Sequence, residues 1–353
     1  MRKVLVKIFL FINLIVVIPL FIAYLSVYIA PELYWIPSFF GLAYPFLLLA
    51  NFIFIVFWLL FKPRYLLFSL FSVIVGWGFV SRYVQLKGEN IEKGDVKVLS
   101  YNVKHFIADG NQSQIENAKK IVSFLEEQNA DIICLQEARI RQNTIFNLPN
   151  TVKKLSSINH YQYARTSTTY GSVTMTRFPI VNMGEIRFEE SRNITIYTDV
   201  IIKSDTVRII NVHLQSYQID PSKYSIIDSM GVNQEKDLKE MREMGSKFKK
   251  AFQQRAKQVR EIRKYVDEAP YEVIICGDFN DTPVSFAYQK LRGNLVDAFV
   301  NSGKGFGRTY IGKLPSFRID NIFHSEKFES YNFQTYDFKM SDHLPISCEL
   351  VFE

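Results

Sequence analysis

Apolar residues run almost unbroken through the first 81 positions, then give way to short alternating patterns. Residues 8–30, 33–61 and 65–81 hold no charged side chain, in stretches of 23, 29 and 17 residues. A helix rises about 1.5 Å per residue, so a hydrocarbon core of roughly 30 Å needs about 20 residues, with about 17 as the practical minimum. The pattern predicts a multi-pass anchor within residues 1–85, a bundle of about three transmembrane helices spanning 8–30, 37–61 and 65–81. A cleaved signal peptide fits poorly, because its apolar stretch is shorter and is not followed by two more.

From residue 95 onward, runs rich in Val and Ile alternate with turn-forming segments. Strands are expected at 97–103, 131–137, 171–177, 193–202, 207–214, 272–279, 318–324 and 346–352. Helical spacing is visible twice. Residues 114–128 follow the capping box Ser113-x-x-Glu116 and carry the stripe Ile115, Ala118, Val122 and Leu125. A second, basic helix is expected over about 234–266. Many strands with few helices imply an α/β architecture of two packed sheets with helices outside, an αββα sandwich over residues 95–353, joined to the anchor by a polar linker at 86–94.

Composition excludes some classes. With 48% hydrophobic residues, 22% charged, 12 prolines and 16 glycines, the chain is neither disordered nor collagen-like. Three cysteines, Cys134, Cys276 and Cys348, each lie in an apolar strand-like run; an odd count without CxxC spacing points to buried thiols rather than a disulfide framework or zinc site.

The net charge of +7 looks like a nucleic-acid footprint until it is partitioned. Residues 1–94 hold 8 basic and 3 acidic side chains, leaving 34 basic against 32 acidic, a net of +2, for the rest. Within that rest, residues 235–264 carry 11 basic and 5 acidic side chains, a charged helix face. Around the apolar runs, Arg2, Lys3 and Lys7 precede the first, Glu32 lies before the second, and Lys62 and Arg64 precede the third. By the positive-inside rule the N-terminus is cytoplasmic, and three spans place the large domain outside, across the cytoplasmic membrane of a bacterium; with only two, the domain returns to the cytoplasm.

Polar residues interrupt the predicted strands at six ends: Asn102 in SYN, Glu137 and Arg139 in QEAR, Asn211 and His213 in NVHL, Asp278 and Asn280 in GDFN, Asp320 in RIDN, and Asp342 and His343 in SDH. Singly, each has an ordinary reading as a turn residue or solvated charge. Together and in this order they resemble the endonuclease/exonuclease/phosphatase superfamily, which includes deoxyribonuclease I-like nucleases, abasic-site endonucleases, sphingomyelinases and inositol-polyphosphate phosphatases. The resemblance covers residues 96–353 and implies a deoxyribonuclease I-like fold.

It also implies roles. Glu137 is the principal magnesium ligand, with Asn102 and Asp342 in the metal group and Mn²⁺ a possible substitute. Asp278 and Asn280 orient the attacking water and hold the phosphate. Asp320 orients His343, the base or phosphate-stabilising imidazole, and His213 flanks the phosphorus. Arg139 and Asn211 are candidate phosphate contacts. The strand TTYGSVTMTRFPI supplies no carboxylate partner for His213, a form closer to the sphingomyelinase-like branches.

Elementary chemistry makes the set intelligible. A hard cation prefers oxygen ligands and neutralises charge on a phosphoester, while a histidine paired with a carboxylate moves protons near neutral pH. The expected activity is metal-dependent phosphodiester hydrolysis by in-line water attack, on nucleic acid or a lipid-derived head group, beside a bilayer reached through the N-terminal helices. Nothing in the sequence points to a protein partner. The competing expectation is a catalytically silent membrane-anchored scaffold.

Overall fold

The computed structural model describes residues 2–107, 113–140, 145–166, 169–218, 234–312 and 318–352. Residues 219–233, in the long stretch before the basic helix, lie outside them.

The N-terminal part is helical: α1 (Arg2–Leu25), α2 (Ile36–Leu42), α3 (Tyr44–Phe61), α4 (Leu66–Val75) and α5 (Trp77–Val80). Three spans were expected, but among the described residues only α1 and α3 are single helices long and apolar enough to cross a bilayer. The run at 65–81 is broken at Gly76 into α4 and α5. The run at 33–61 is likewise split, at Ala43, where Pro45 opens α3; Gly41 within α2 packs so closely on Ser26 and Val284 that a Cβ would lie 2.3 Å from the Val284 carbonyl oxygen.

Helices α1, α3 and α4 pack together through polar groups buried among apolar ones. Asn13 donates to Ser69 Oγ at 2.7 Å and accepts from Trp58 Nε1 at 2.9 Å. Asn51 donates to the Leu47 carbonyl at 2.9 Å and accepts from Ser72. Phe9 faces Phe57 and Tyr24 faces Tyr44, so α1 and α3 are antiparallel; Asn13 meets Ser69 and Tyr24 reaches Ser72 and Phe79, so α4 and α5 run back with α1.

After the short β1 (Val84–Gln85), the remaining chain forms β2 (Val96–Asn102), α6 (Gln114–Gln128), β3 (Ile132–Arg139), α7 (Leu148–Lys154), β4 (His160–Arg165), β5 (Tyr170–Thr176), β6 (Ile180–Arg187), β7 (Ile194–Ile202) and β8 (Asp205–His213). It continues through α8 (Gln234–Asp267), β9 (Glu272–Asp278), α9 (Phe286–Arg292), β10 (Val296–Asp297), α10 (Ala298–Ser302), β11 (Gly305–Phe306), β12 (Asp320–His324), β13 (Phe328–Thr335) and β14 (Ile346–Phe352). One six-stranded sheet has the order β13-β14-β2-β3-β5-β4, the other β10-β12-β9-β8-β7-β6. Each is antiparallel except for one parallel pair, β2 with β3 and β8 with β9.

Alternation along each strand builds the layers. Val96, Val98, Ile132, Cys134, Val207, Ile209, Ile274, Cys276 and Ile322 fill the space between the sheets, and all three cysteines are buried there. The intervening residues face the helices: Leu99, Ile133 and Leu135 meet α6 and α7, while Ile210, Val273 and Ile275 meet α8 and α9. This is the expected αββα sandwich, a deoxyribonuclease I-like fold.

Besides the two-residue β1, β10 and β11, three strands escape the sequence pattern, β4, β6 and β13, and all three are sheet edges. An edge strand buries less and carries a weaker apolar signal. The helices α7, α9 and α10 are five to seven residues long, too short for periodicity, and each is marked only by its cap: Asn147, Ser285 or Asp297. The linker is fastened to the domain, since Asn332 exchanges side-chain hydrogen bonds with both backbone groups of Ile91.

Candidate active site

The same alternation that fills the core carries polar side chains to one end of it. Continuing by twos from the inward residues gives Asn102 on β2, His213 on β8, Asp278 on β9 and Asp320 on β12. Most lie where the parallel strands finish. Gly277 is required here: its φ is +138° and a Cβ would lie 2.0 Å from the Val212 carbonyl oxygen of the neighbouring strand.

Asp278 is the hub. Its Oδ2 accepts from Asn102 Nδ2 and from Asn280 Nδ2, both at 2.9 Å, and its Oδ1 accepts from the Asn280 backbone N–H at 2.7 Å. Two imidazole nitrogens approach the same Oδ2, His343 Nε2 at 3.7 Å and His213 Nε2 at 3.9 Å. Burial, reinforced by the Asp320 charge, pushes the Asp278 carboxyl up to about 6 despite the opposing histidines.

His343 is oriented by Asp320, whose Oδ2 lies 2.9 Å from Nδ1. Asp320 is in turn fixed by Thr309, whose Oγ1 accepts its backbone N–H at 3.1 Å. Burial works against a charged ring, but Asp320 and Asp278 outweigh it and hold the His343 pKa at about 10, so the imidazolium is favoured at neutral pH.

Glu137 reaches the site through a bulge in β3, where its φ is +53° and the register with β5 shifts between Leu135 and Ala138. Its Oε1 lies 3.3 Å from His213 Nε2, and its Oε2 lies 3.1 Å from His105 Nε2. Burial alone would raise this carboxyl; the His213 hydrogen bond and the charges of His213, His105 and His343 bring it down to about 2. For His213, burial is outweighed by Glu137 and Asp278, and its pKa rises.

His105 and Lys104 were not singled out in the sequence. They follow Asn102 in a turn whose residues Lys104, His105 and Phe106 have φ of 42°, 55° and 62°. Such conformations cost about 1–2 kcal/mol per non-glycine residue. Burial of Phe106 against Phe146, with ring centroids 4.9 Å apart, and the Asn117 amide on its carbonyl at 3.0 Å hold the turn. The turn delivers His105 to Glu137 and Lys104 Nζ to Asp342 Oδ2 at 3.0 Å. The available signal was simple: the chain has five histidines, and one stands three positions past Asn102.

Not every candidate converges. Asn211 is fully buried between the sheets, donating to the carbonyls of Leu135 and Val173 and accepting from Gln136, so its amide is spent on joining them. Arg139 bonds Gln114 Oε1 of α6 at 3.1 Å, on the rim beyond Glu137.

Two donor sets can be tested for a cation. Asp278, Asp320 and His343 place ligand atoms within 4.8 Å of one another. The carboxylate oxygens are largely used, however: Asp320 accepts from His343 Nδ1–H, and Asp278 from three N–H donors. Glu137 and Asp342 instead meet His105 and Lys104 of one turn, and the buried Nε2 of His213 lies 3.3 Å from Glu137 Oε1. Carboxylate oxygens joined by the Asn102 amide oxygen suit a hard divalent ion better.

These features gather carboxylates, amides and imidazoles at one end of a two-sheet sandwich. Residues 99–343 match the Endonuclease/Exonuclease/phosphatase family, and the chain belongs to it. Members of that superfamily hydrolyse phosphoester bonds, including those of nucleic acids. Residues 6–83 match a domain of unknown function, DUF8431. No curated protein matches in sequence.

Among solved structures, an endonuclease/exonuclease/phosphatase family protein from Leptotrichia buccalis is similar at TM-score 0.51 and 15% identity, covering 73% of this chain and 100% of that one. A mannosyl-6-phosphatase from Bacteroides thetaiotaomicron gives TM-score 0.51 and 18% identity with the same coverage. A protein of unknown function from Enterococcus faecalis gives 0.50 and 14%, again covering 73% and 100%. At these identities the likeness is one of fold.

Proposed function

We propose that this chain is a membrane-anchored, divalent-metal-dependent phosphoesterase that cleaves phosphodiester bonds by in-line attack of an activated water. The observation that carries the reading is the convergence of Asn102, Asn280, His213 and His343 on one buried carboxylate, Asp278, with Glu137 Oε1 3.3 Å from His213 Nε2. Glu137, with Asn102 and Asp342, would hold Mg²⁺ or Mn²⁺, which neutralises phosphoryl charge when bound. Asp278 and Asn280 orient the water. His343, kept charged by Asp320, and His213 face the phosphoryl oxygens. The domain division follows: an anchor over residues 1–85, a linker at 86–94 and the catalytic part at 95–353.

The anchor reading is supported by the outer surface of the bundle, where Phe11, Leu60 and Phe71 are 65%, 72% and 62% exposed. So much exposed apolar surface is ordinary in lipid and costly in water. The direction of the helices supports an extracytoplasmic catalytic domain, attached at the end of the bundle away from Lys3, Lys7, Lys62 and Arg64. The broken third element keeps this sense, since α4 and α5 run on in the direction of α1. Protease added to intact spheroplasts should then clip the domain, and protection until lysis would reverse the orientation.

The loop that follows Asp278 favours a lipid-borne phosphodiester over a free polymer. Thr282 Oγ1 approaches the Gly41 carbonyl at 3.4 Å and Ser26 Oγ donates to the Val284 carbonyl at 2.9 Å, so the site-bearing end of the sandwich is the end docked on the anchor. The test is a panel of DNA, RNA, phospholipid head-group diesters and phosphate monoesters given to the full-length chain with Mg²⁺. The expected result is hydrolysis of at least one diester that chelator abolishes. Hydrolysis of none, with the fold intact by circular dichroism, would leave the silent scaffold standing.

A further inference from the structure

The long helix α8 touches the anchor at three widely separated points. Phe248 packs against Phe39 of α2 with ring centroids 5.4 Å apart, Gln253 donates to the Pro31 carbonyl at 3.5 Å, and Arg260 pairs with Glu32. These contacts span twelve residues, about 18 Å of helix. A helix that meets the end of a bundle over that length lies across it, level with the place where α1 and α2 leave the apolar zone.

Its N-terminal half continues past the bundle, and two side chains there are apolar and open: Leu238 is 55% exposed and Met241 46%. Met241, Phe248 and Phe252 are spaced by seven and four residues and therefore share one strip. Phe248 and Phe252 fill the cluster that joins α8 to Leu42 of the anchor, so the exposed strip is an extension of an interface already made. Beside it runs a second strip, Arg242, Lys249, Gln253 and Arg260, spaced by seven, four and seven residues, whose last two members are the ones touching Pro31 and Glu32. Glu240 and Glu243 project toward the other side of the helix. At the same level the α1–α2 connection exposes Leu33 together with Tyr28 and Tyr34, and tyrosine is a residue type that settles at a membrane interface.

We infer that the N-terminal half of α8 lies on the bilayer that holds the anchor, with Leu238 and Met241 among the head groups and Arg242 and Lys249 on anionic lipid phosphates. Apolar area and basic charge act together in this mode: methylene burial supplies depth, and each Lys or Arg near an anionic surface strengthens binding about fivefold. The inference rests on the anchor spanning a membrane, and it goes further by holding the catalytic domain down at a second place.

The buried native thiols allow a direct test on the full-length chain in vesicles, either phosphatidylcholine alone or with phosphatidylglycerol added. A single environment-sensitive label is placed at M241C, at K250C on the opposite side of the helix, or at I53C on the outer face of α3. In anionic vesicles, label at 241 should be quenched by lipids bearing a nitroxide near the head group and shielded at least about threefold from aqueous iodide relative to label at 250. The double variant R242E/K249E should remove most of that shielding in anionic vesicles and change little in neutral ones. Equal iodide access at 241 and 250, with label at 53 quenched by acyl-chain nitroxides, would overturn the inference and leave the anchor intact. Absence of lipid quenching at 53 would overturn both.

Discussion

Replacing His343 with alanine is expected to lower turnover on any accepted phosphodiester by about 10³-fold or more, because the ring supplies both proton transfer and positive charge to the transition state. Replacing Asp320 with asparagine should cost about 10²- to 10⁴-fold, since the amide can neither support the imidazolium nor fix its tautomer. The informative measurement is the double variant. His343 Nδ1 and Asp320 Oδ2 lie 2.9 Å apart in a buried setting, so the two act as one unit. The H343A/D320N enzyme should be within a few-fold of H343A alone. Multiplicative losses would show that Asp320 serves some other group. Thr309 offers a milder version: T309V leaves the carboxylate in place but removes the oxygen that fixes the Asp320 backbone, and should act on turnover more than on KM.

Glu137→Gln should abolish metal-supported hydrolysis, a loss of about 10³-fold, if the carboxylate is the principal protein anchor of the cation. Calorimetric titration of Mg²⁺ or Mn²⁺ into the same variant separates binding from chemistry: affinity should fall together with activity. Asp342→Asn should weaken the ion less, and chelator should silence the unmodified enzyme. The alternative donor set makes a contrary forecast, with E137Q binding metal normally and D278N failing to bind. Undiminished metal affinity in E137Q, or activity that survives chelation, would remove Glu137 from the role proposed for it.

The two-sheet sandwich and its candidate site were legible because the polar side chains ride on the same alternation that builds the core. Once the strand at 272–279 is recognised from Val273 to Cys276, Asp278 is fixed on the inner face, and the same parity carries Asn102 and His213 there. Parity also placed Asn211 on that face, but one pair deeper, where the gap between the sheets is closed and an amide must bond to strand carbonyls. Depth along a strand is set by register with its neighbours, which a single sequence does not carry. His105 and Lys104 were invisible for another reason. They depend on three successive left-handed residues, none of them glycine, and local propensity argues against such a turn. In the N-terminal helices, hydropathy found apolar runs but not their breaks at Ala43 and Gly76, which it counts as part of the runs, nor the seating of Gly41 against Val284, far along the chain.

That contact bears on how the protein matures. Ser26 and Val284 are separated by 258 residues, so the hydrogen bond that seats the loop after Asp278 on the anchor must wait until most of the polypeptide has been made. Long-range closures of this kind are slow steps in folding. The anchor can assemble early from its own polar contacts, but the loop carrying Asn280 gains its footing only after the last third of the chain arrives. On the proposed function, a nascent or interrupted chain would hold its N-terminal helices in place before its candidate site is complete, with hydrolytic competence acquired late in its synthesis.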